Sequence, residues 1–420
     1  MDVLVVGGGG REHALAWKLK QSPRVGKIYI APGNGGTRLV GENVAISATD
    51  FQKLVQFVSE KHIGLTVVGP EAPLSLGIVD YFKSRGLRIW GPTKAAAQIE
   101  SSKAFAKQLM KEAGVPTANF EAHSDFNSAL AYLRRCDIPI VVKASGLANG
   151  KGVYICQTFE EAERALKELL IDKAHGDAGN EVVIEEYLEG EEISVHALCD
   201  GVNFVMFPPS QDHKRALDGD TGKNTGGMGV IAPVSWITPE MLIAIELHVI
   251  RPTLEALANR GIPFTGMLYP GLKISGAGIH VLEYNARFGD PEAQAYMRLL
   301  DNDLLDLFDA SLDGTIADQK MMWHQKSAVT IVLASGGYPE ASEDNHPITG
   351  IEDAERTKDV VVFHAGTKFD GALKTTSGRV LSVSAVGSPL KHVLDVAYDA
   401  VNKIHFEGMQ FRRDIGAKSL

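Results

Sequence analysis

The segment from Val3 to about Trp90 repeats one pattern, and that pattern limits the possible folds more than any other feature of the chain. Short apolar runs that end in glycine or proline alternate with helical stretches, as in VLVVGGGG, KIYIAPGNGG, LTVVGPEAP and LRIWGPT. Strands that alternate with helices are joined by right-handed crossovers and therefore lie parallel in one sheet. We predict an α/β domain with a parallel sheet and a boundary near Ser101.

The sequence beyond this boundary has a different texture. A helix is predicted around Ala95–Gly114, because Gly114 and the following Pro116 would end it. From Ile138, a strand, a glycine loop and a second strand (PIVVKASGLANGKGVYIC) precede a charged helix over Thr158–Leu170 and the strands EVVIEEYLEG and EEISVHALCDG. This order predicts an α+β region with antiparallel strands.

A polar, glycine-rich segment, Ser210–Gly229, contains almost nothing apolar to bury. Loops of this length without periodicity are usually functional or disordered. A helix over Pro239–Arg260 and strands around Gly266–Ile274 and His280–Tyr284 are predicted to follow. The C-terminal part adds strands such as VVVFHAG and RVLSVSAVG and a terminal helix.

Composition excludes several classes of protein. At roughly 150 residues per domain, 420 residues predict two or three domains, and the apolar runs stop short of the roughly 20 residues that span a bilayer. A net charge of −10 opposes non-specific binding to nucleic acid or anionic membranes, so neither is an expected partner. Three scattered cysteines without CxxC spacing imply neither disulfides nor a zinc site, and the N-terminus lacks a leader pattern. We expect a cytoplasmic protein.

The glycines Gly7–Gly10 follow the first strand and open a helix, where free backbone N–H groups attract a phosphate. The dinucleotide fingerprint requires glycine at its sixth position, which is Glu12 here, so a nicotinamide site is disfavoured. The alternative is a tight turn in which glycine serves only packing. The segment APGNGGT (31–37) ends the second strand at the same crevice, and this favours a ligand site.

Lys143 ends a strand and precedes a loop that contains Gly146, Gly150, Lys151 and Gly152. Three residues separate the first two glycines, and Gly152 follows the lysine, so the loop is not a Walker A motif. We predict a hairpin flap whose N–H groups and lysines cover phosphates. A flexible surface hairpin with solvated lysines is the alternative that would give the same sequence pattern.

Carboxylates and one amide mark two further candidates. The backbone N–H and C=O groups of the strand that ends in EEYLEG could form hydrogen bonds with an adenine. A carboxylate just beyond this strand could accept hydrogen bonds from ribose hydroxyls. Glu283 and Asn285 lie two residues apart on one strand face, which suits Mg²⁺ held partly by nucleotide phosphates. Taken alone, each pattern could also be a solvated face.

In this order, GGGGREHALA, APGNGGT, KASGLANGKGV, EEYLEGEE, DHKR…NTGGMG and EYNARFGDPE closely resemble the glycinamide ribonucleotide synthetase (phosphoribosylamine–glycine ligase) family, which are ATP-grasp enzymes of purine biosynthesis. The resemblance runs to SGRVLSV (377–383). It implies a Rossmann-like domain over 1–101, an ATP-grasp region over 102–325 with a small lid at about 120–190, and a C-terminal α+β/β domain over 326–420.

The resemblance also implies roles for individual residues. ATP is expected to contact Lys103, Lys143, Gly150, Lys151, Gly152, Glu185, Tyr187 and Glu192, while Glu283 and Asn285 bind Mg²⁺ or Mn²⁺. Phosphoribosylamine is expected to face Gly9, Arg11, Glu12, His13, Gly33, Asn34, Gly35, Asp212, His213, Lys214, Arg215 and Asn224. Arg287 and Asp290 are expected where glycine approaches, and with Lys143 they form the expected catalytic set. Three positions depart from the family: Ser145, Asn149 and Lys223.

The implied reaction joins glycine to 5-phosphoribosylamine through glycyl phosphate, at the cost of ATP. It needs no side-chain nucleophile, and no GxSxG-type setting is found. We expect a monomer or weak homodimer. Two alternatives stay open at this point: another ATP-grasp carboxylate–amine ligase with a different acid or amine, and a nucleotide-binding sensor without catalysis.

Overall fold

The computed structural model of the protein describes residues 1–148, 151–376 and 378–420. Within these ranges, no helix is both long and apolar enough to cross a membrane. The chain forms an N-terminal parallel sheet, a small antiparallel sheet with two helices, a central sheet, and a C-terminal sheet.

The N-terminal part has the parallel architecture that the alternating pattern predicts. Its elements are β1 (Val3–Gly7), α1 (Gly10–Leu19), β2 (Ile28–Pro32), β3 (Glu42–Asn43), α2 (Phe51–Lys61), β4 (Leu65–Val68), α3 (Glu71–Leu76), α4 (Ile78–Lys83), β5 (Ile89–Trp90) and α5 (Gln98–Ser101). The strands pair in the order β3-β2-β1-β4-β5, all in parallel. The loops after β1, β2 and β4 therefore meet at one edge of the sheet, where open α/β sheets bind ligands.

The expected single helix over Ala95–Gly114 is wrong, because Ser102 interrupts it. Ser102 is extended, with φ −139°, and its Oγ accepts a hydrogen bond from the Phe105 N–H at 3.2 Å. This side chain caps a new helix, α6 (Lys103–Ala113), which ends at Gly114 with φ +67°, as predicted. Lys103 thus becomes the first residue of a helix.

The small sheet is antiparallel, as the sequence predicts. Its elements are β6 (Phe120–His123), α7 (Phe126–Leu133), β7 (Ile140–Ala144), β8 (Val153–Cys156), α8 (Phe159–Leu170) and β9 (Val182–Glu186). The strand order is β6-β9-β7-β8, and both helices share one apolar core with the sheet. The predicted flap joins β7 to β8. Its residues Asn149 and Gly150 lie outside the described residues.

The central part carries a second antiparallel sheet. Its elements are β10 (Glu191–Ser194), β11 (Ala197–Asp200), β12 (Phe204–Met206), β13 (Gln211–Asp212), β14 (Arg215–Leu217), β15 (Thr221–Asn224), β16 (Gly229–Ala232), α9 (Pro239–Ile245), α10 (Arg251–Asn259), β17 (Thr265–Ser275), β18 (Gly278–Asn285), α11 (Glu292–Leu299) and α12 (Leu304–Asp313). Strands β10, β17, β11 and β12 lie in that order, and β18 pairs with β17. The helix predicted over Pro239–Arg260 is present, with a π-helical turn between α9 and α10.

The C-terminal sheet recruits strands from the polar segment Ser210–Gly229. Its own elements are β19 (Ser327–Ala334), α13 (Ile351–Glu355), β20 (Val360–His364), β21 (Thr367–Phe369), β22 (Leu373–Thr375), β23 (Arg379–Gly387) and α14 (Leu390–Val401). The order is β13-β16-β19-β23-β20, while β14 and β15 form a separate hairpin. The polar segment is therefore anchored at both ends in the C-terminal sheet.

The C-terminal part also packs closely on the N-terminal glycine loops. The Asn34 side-chain amide donates to the carbonyl oxygens of Gly8 at 3.0 Å and His364 at 2.7 Å. A Cβ added at Gly36 would lie 2.3 Å from the His364 ring, so the two chain segments approach as closely as glycine allows.

Replacing Gly36 with Ala should destabilise this contact. Its φ of −97° suits any residue, so the effect should be steric, and overpacking of this kind costs about 1–3 kcal/mol. We expect a lower midpoint of thermal unfolding by circular dichroism. The matched control is Gly276→Ala, whose added Cβ meets no atom within 4 Å. Equal midpoints for the two variants would contradict the close packing.

Candidate active site

A cavity of about 810 Å³ lies where the four parts of the chain meet. The predicted site residues in its wall are Arg11, Lys103, Lys143, Lys151, Gly152, Glu185, Tyr187, Glu192, Asp212, His213, Lys214, Arg215, Asn224, Glu283, Asn285, Arg287 and Asp290. Other predicted residues, Gly9, Glu12, His13, Gly33, Asn34 and Gly35, are not in the wall, and Gly150 lies outside the described residues.

Three lysines converge on one side of the cavity. Lys103 donates to the Gly146 carbonyl oxygen at 3.3 Å, and Lys143 donates to the Leu282 carbonyl oxygen at 3.3 Å. Lys143 also pairs with the buried carboxylate of Glu185, whose second oxygen lies 2.6 Å from the Lys107 Nζ. Burial alone would raise the pKa of Glu185, but the two ammonium groups lower it below its usual value.

This arrangement is an excess of positive charge facing a cavity. Burial lowers the pKa of Lys103, and it lowers the pKa of Lys107 to about 8, because both ammonium groups lose water. A bound anion such as a polyphosphate would take the place of the water that these ammonium groups have lost and would stabilise their charge. The lysines therefore form a site suited to phosphate oxygens.

The predicted metal pair, Glu283 and Asn285, lies on β18 beside Lys214. The Lys214 Nζ lies 3.2 Å from Glu283 Oε1 and 2.5 Å from Glu192 Oε1. The charge of Lys214 lowers the pKa of Glu283 to about 2, so Glu283 is ionised. One carboxylate and one amide oxygen, from Asn285, fit a Mg²⁺-type ion that takes its remaining ligands from phosphates and water.

Arg287 is held between two carboxylates next to this pair. Its Nη2 lies 2.9 Å from Glu100 Oε1 and 3.2 Å from Asn285 Oδ1, and its Nε lies 3.3 Å from Glu71 Oε2. Arg11 Nη1 lies 3.8 Å from the same Glu71 oxygen. The guanidinium is thus fixed at the cavity wall by protein acceptors on all three of its nitrogens.

The N-terminal glycine loop is occupied by a protein carboxylate. Glu12 Oε2 accepts from the Gly9 N–H at 2.6 Å, and Glu12 Oε1 accepts from Arg11 Nε at 2.5 Å. A Cβ at Gly69 would lie 2.0 Å from the same carboxylate, so Glu12 fills the space between the ends of β1 and β4. Glycine is needed here partly to accommodate Glu12, which is the packing alternative raised from the sequence.

The second glycine loop and His13 serve the contact with the C-terminal part. His13 is buried, and its Nδ1 accepts from the His364 backbone N–H at 2.9 Å. Asn34 Oδ1 accepts from the N–H groups of Gly36 and Thr37 at 2.9 and 3.0 Å, and the Gly35 N–H donates to Thr367. Substrate contacts by His13, Asn34 and Gly35 therefore stay predictions. The hydrogen-bonding groups of these three residues already have protein partners, which gives such contacts little support.

The polar segment presents a buried carboxylate to the cavity. Asp212 Oδ1 is buried without a hydrogen-bond partner among the described residues. Burial and the nearby Glu292 raise the pKa of Asp212 well above its usual range. A substrate hydroxyl or amine that donates to this oxygen would relieve the unpaired state, because a buried polar atom without a partner is costly.

His213 has both ring nitrogens engaged. Its Nδ1 lies 3.0 Å from the Gly229 carbonyl oxygen and must therefore carry the proton, while its Nε2 accepts from the Gly416 N–H at 3.1 Å. A protonated ring could not keep the second bond. Burial accordingly lowers the pKa of His213 below its ordinary value.

This geometry predicts a pH effect on stability. Because the unfolded chain takes up the proton near pH 6.5 and the folded state resists it, His213 costs stability as the pH falls below 6.5. We expect the midpoint of thermal unfolding to fall less between pH 7.5 and 5.5 in His213→Gln than in the unmodified chain. The three other buried histidines are present in both the variant and the unmodified chain, so their contributions cancel when the two pH dependences are compared. Parallel pH dependences would contradict the neutral, bridging imidazole.

Sequence reasoning missed four charged residues of this site. Lys107 lies one helical turn after Lys103 on α6, and Glu71 follows β4 at the ligand-binding edge of the sheet, so both had a local signal. Glu100 and Arg379 had none. Arg379 Nη1 donates to the carbonyl oxygens of Gly226 at 2.7 Å and Asp290 at 2.5 Å, which joins the polar segment to the GDPE turn.

The structure shows the contacts of two of the three residues that depart from the family pattern. Ser145 Oγ accepts from the Ala104 N–H at 3.1 Å, and its carbonyl accepts from the Lys103 N–H at 2.8 Å, so it ties the start of the flap to α6. Lys223 is exposed and pairs with Glu340. Neither contact removes a lysine or a metal-type oxygen from the cavity.

Comparison with known proteins gives a match over nearly the whole chain. In the phosphoribosylglycinamide synthetase family, the N domain matches residues 1–100, the ATP-grasp (A) domain residues 101–293, and the C domain residues 328–418. Phosphoribosylamine–glycine ligases from Chlorobaculum tepidum and Ralstonia nicotianae are each 48% identical to this chain over 425 and 422 residues. Each alignment covers 100% of both proteins.

Solved structures agree with this match. The crystal structure of phosphoribosylamine–glycine ligase from Thermotoga maritima is 34% identical, with a TM-score of 0.85, and covers 99% of this chain and 100% of that one. A biotin carboxylase domain from Hydrogenobacter thermophilus, solved with MgADP, is 16% identical with a TM-score of 0.74 over 97% of this chain and 91% of that one. This second likeness concerns the ATP-grasp fold alone. The chain belongs to the phosphoribosylglycinamide synthetase family of phosphoribosylamine–glycine ligases.

Proposed function

We propose that the cavity catalyses the ATP-dependent ligation of glycine to 5-phosphoribosylamine, giving glycinamide ribonucleotide, ADP and phosphate. One observation carries the assignment of the site: Lys103, Lys143, the Glu283–Asn285 oxygen pair and Arg287 all face one cavity. Cations for phosphates, ligands for a divalent ion and a guanidinium for a carboxylate are the groups that acyl phosphate formation requires. The identity of the full-length relatives supports the choice of glycine and phosphoribosylamine.

In the first step, a carboxylate oxygen of glycine attacks the γ-phosphorus of ATP, and the bond to the β-phosphate oxygen breaks. ADP leaves with the electron pair, and glycyl phosphate forms. Lys103 and Lys143 bind the phosphates, Glu283 and Asn285 would hold Mg²⁺ or Mn²⁺, and Arg287 orients the carboxylate. The bound ion would neutralise charge on the phosphate oxygens.

In the second step, the amine nitrogen of phosphoribosylamine attacks the acyl carbon. The carbon–oxygen bond to phosphate breaks, phosphate leaves with the electron pair, and the nitrogen passes one proton to the departing phosphate. Asp212, whose Oδ1 lacks a partner among the described residues, is the proposed acceptor of a substrate hydrogen bond at this position. Water would destroy the acyl phosphate, so the flap is proposed to close before chemistry.

Tyr187 and Glu192 line the same cavity and are the proposed adenine and ribose contacts. Glu185, by contrast, is engaged with Lys143 and Lys107, so its proposed role is to orient these lysines beside the adenine region rather than to contact the base. The free thiols of Cys136, Cys156 and Cys199 support a reducing, cytoplasmic location. We further propose a monomer or weak homodimer, which sedimentation at micromolar concentration would test.

ADP release tests this function. The chain is supplied with Mg²⁺, ATP and glycine, with and without phosphoribosylamine generated from ribose 5-phosphate and ammonia. Release that needs both substrates is expected. Release that depends on another acid would favour a different ATP-grasp ligase, and a folded chain that binds ATP but releases no ADP with any acid or amine would favour a sensor.

A further inference from the structure

The C-terminal segment Arg412–Ser419 lies along the polar segment that carries Asp212 and Arg215. Backbone groups join the two: the Gly219 N–H donates to Asp414 at 2.8 Å, and the Arg413 N–H donates to Asp218 at 2.7 Å. The Gly416 N–H donates to His213, as described above. Along the chain, the two segments are almost two hundred residues apart, so these contacts are tertiary and not local.

Arg412 is the centre of this contact. Its side chain is 1% exposed, although it carries a full charge. Nε and Nη2 each donate to Asp414 at 2.8 Å, which fixes the guanidinium within its own segment. Nη1 then points to the polar segment, where it donates to the Arg215 carbonyl oxygen at 3.1 Å and lies 2.8 Å from Asp220. All three nitrogens of the guanidinium therefore have an acceptor, as a buried arginine requires.

The polar segment needs these contacts because its own hairpin contributes little to its stability. The hairpin of β14 and β15 has two strands and a register shift between Arg215 and Leu217. Leu217 is 57% exposed, so the hairpin buries little apolar surface. Two-stranded hairpins of this kind are marginal in water, because few contacts offset the conformational entropy that is lost when the backbone becomes ordered. Contacts from outside the hairpin must therefore hold it.

We propose that Arg412 is a positioning residue for the amine substrate. It fixes the backbone of Arg215, and with it the wall of the cavity that faces phosphoribosylamine. Arg412 thereby sets the affinity for the amine, although its own side chain is not in the cavity wall. The inference rests on the proposed function for the identity of that substrate.

The test compares Arg412→Gln with Arg413→Gln. Both variants remove one positive charge from neighbouring positions, but the Arg413 side chain is exposed and lies over Phe411. We expect Arg412→Gln to raise the KM for phosphoribosylamine by about 10- to 100-fold, since displacement of about 1 Å can have an effect of this size. The KM for ATP should change less than twofold, and Arg413→Gln should match the unmodified chain. Arg412→Lys, which keeps the charge but loses the fork, should recover only part of the affinity.

Asp220→Asn weakens the same link from the other side, at a carboxylate that is 38% exposed and also lies 3.0 Å from the Lys418 Nζ, and it keeps the test valid if Arg412→Gln does not fold. It should raise the amine KM in the same direction, and the double variant should be no worse than Arg412→Gln alone. Equal amine KM values for the two arginine variants, or an equal rise in the KM of all three substrates, would overturn the inference while leaving the proposed function standing. An unmodified chain that needs no phosphoribosylamine would overturn both.

Discussion

Replacing Glu283 with Gln should lower kcat/KM for ATP by about 10²- to 10³-fold at a Mg²⁺ concentration that saturates the unmodified chain. The substitution removes the only charged member of the proposed metal pair, and a neutral amide binds a hard divalent ion more weakly. Raising Mg²⁺ should recover part of the activity. The fold should persist, because Lys214 keeps Glu192 at 2.5 Å as a partner.

The control for this change is Glu189→Gln, which alters an exposed carboxylate near the end of β9. It should leave the Mg²⁺ dependence as it is. Steady-state rates over a Mg²⁺ titration measure both variants. Activity of Glu283→Gln near that of the unmodified chain at low Mg²⁺ would rule out Glu283 as a metal ligand.

Replacing Lys143 with Ala should raise the KM for ATP and lower kcat by about 10²-fold or more. Lys143 is one of two lysines proposed to bind the phosphates, and removing one positioned donor from a transition state has an effect of this size. Glu185 would still pair with Lys107 at 2.6 Å, so no buried carboxylate is left without a cation. The kinetic loss should therefore reflect the site and not unfolding.

Lys111→Ala is the matched control, because Lys111 is exposed on α6 and away from the cavity wall. It should show the kinetics of the unmodified chain. If Lys143→Ala folds and shows the same KM and kcat, Lys143 is not a phosphate contact.

Much of the fold could be predicted because its signals are local. The parallel N-terminal sheet follows from strands and helices that alternate within about twenty residues, and the flap follows from two strands around one glycine loop. The break at Ser102 was missed because the flanking residues favour helix on both sides. The strands β13 and β16 were missed because their pairing with the C-terminal sheet joins residues far apart in sequence.

The candidate site divides in the same way. Lys143, Glu283 and Asn285 could be proposed from strand ends and from period-two spacing, which act over a few residues. The pairing of Arg287 with Glu71 and Glu100 could not, since each partner lies more than a hundred and eighty positions away. Nor could the filling of the glycine loop by Glu12, because the sequence does not say whether an N–H group meets a ligand or a side chain.

The fate of the glycine oxygens tests the central claim most directly. The chain would be given glycine labelled with ¹⁸O in both carboxylate oxygens, together with MgATP and phosphoribosylamine, and the released phosphate would be analysed by mass spectrometry. Attack of the carboxylate on the γ-phosphorus predicts one ¹⁸O in each phosphate and one in the amide of glycinamide ribonucleotide. Unlabelled phosphate, with the displaced label in water or with both labels still in free glycine, would contradict a glycyl phosphate intermediate in this cavity.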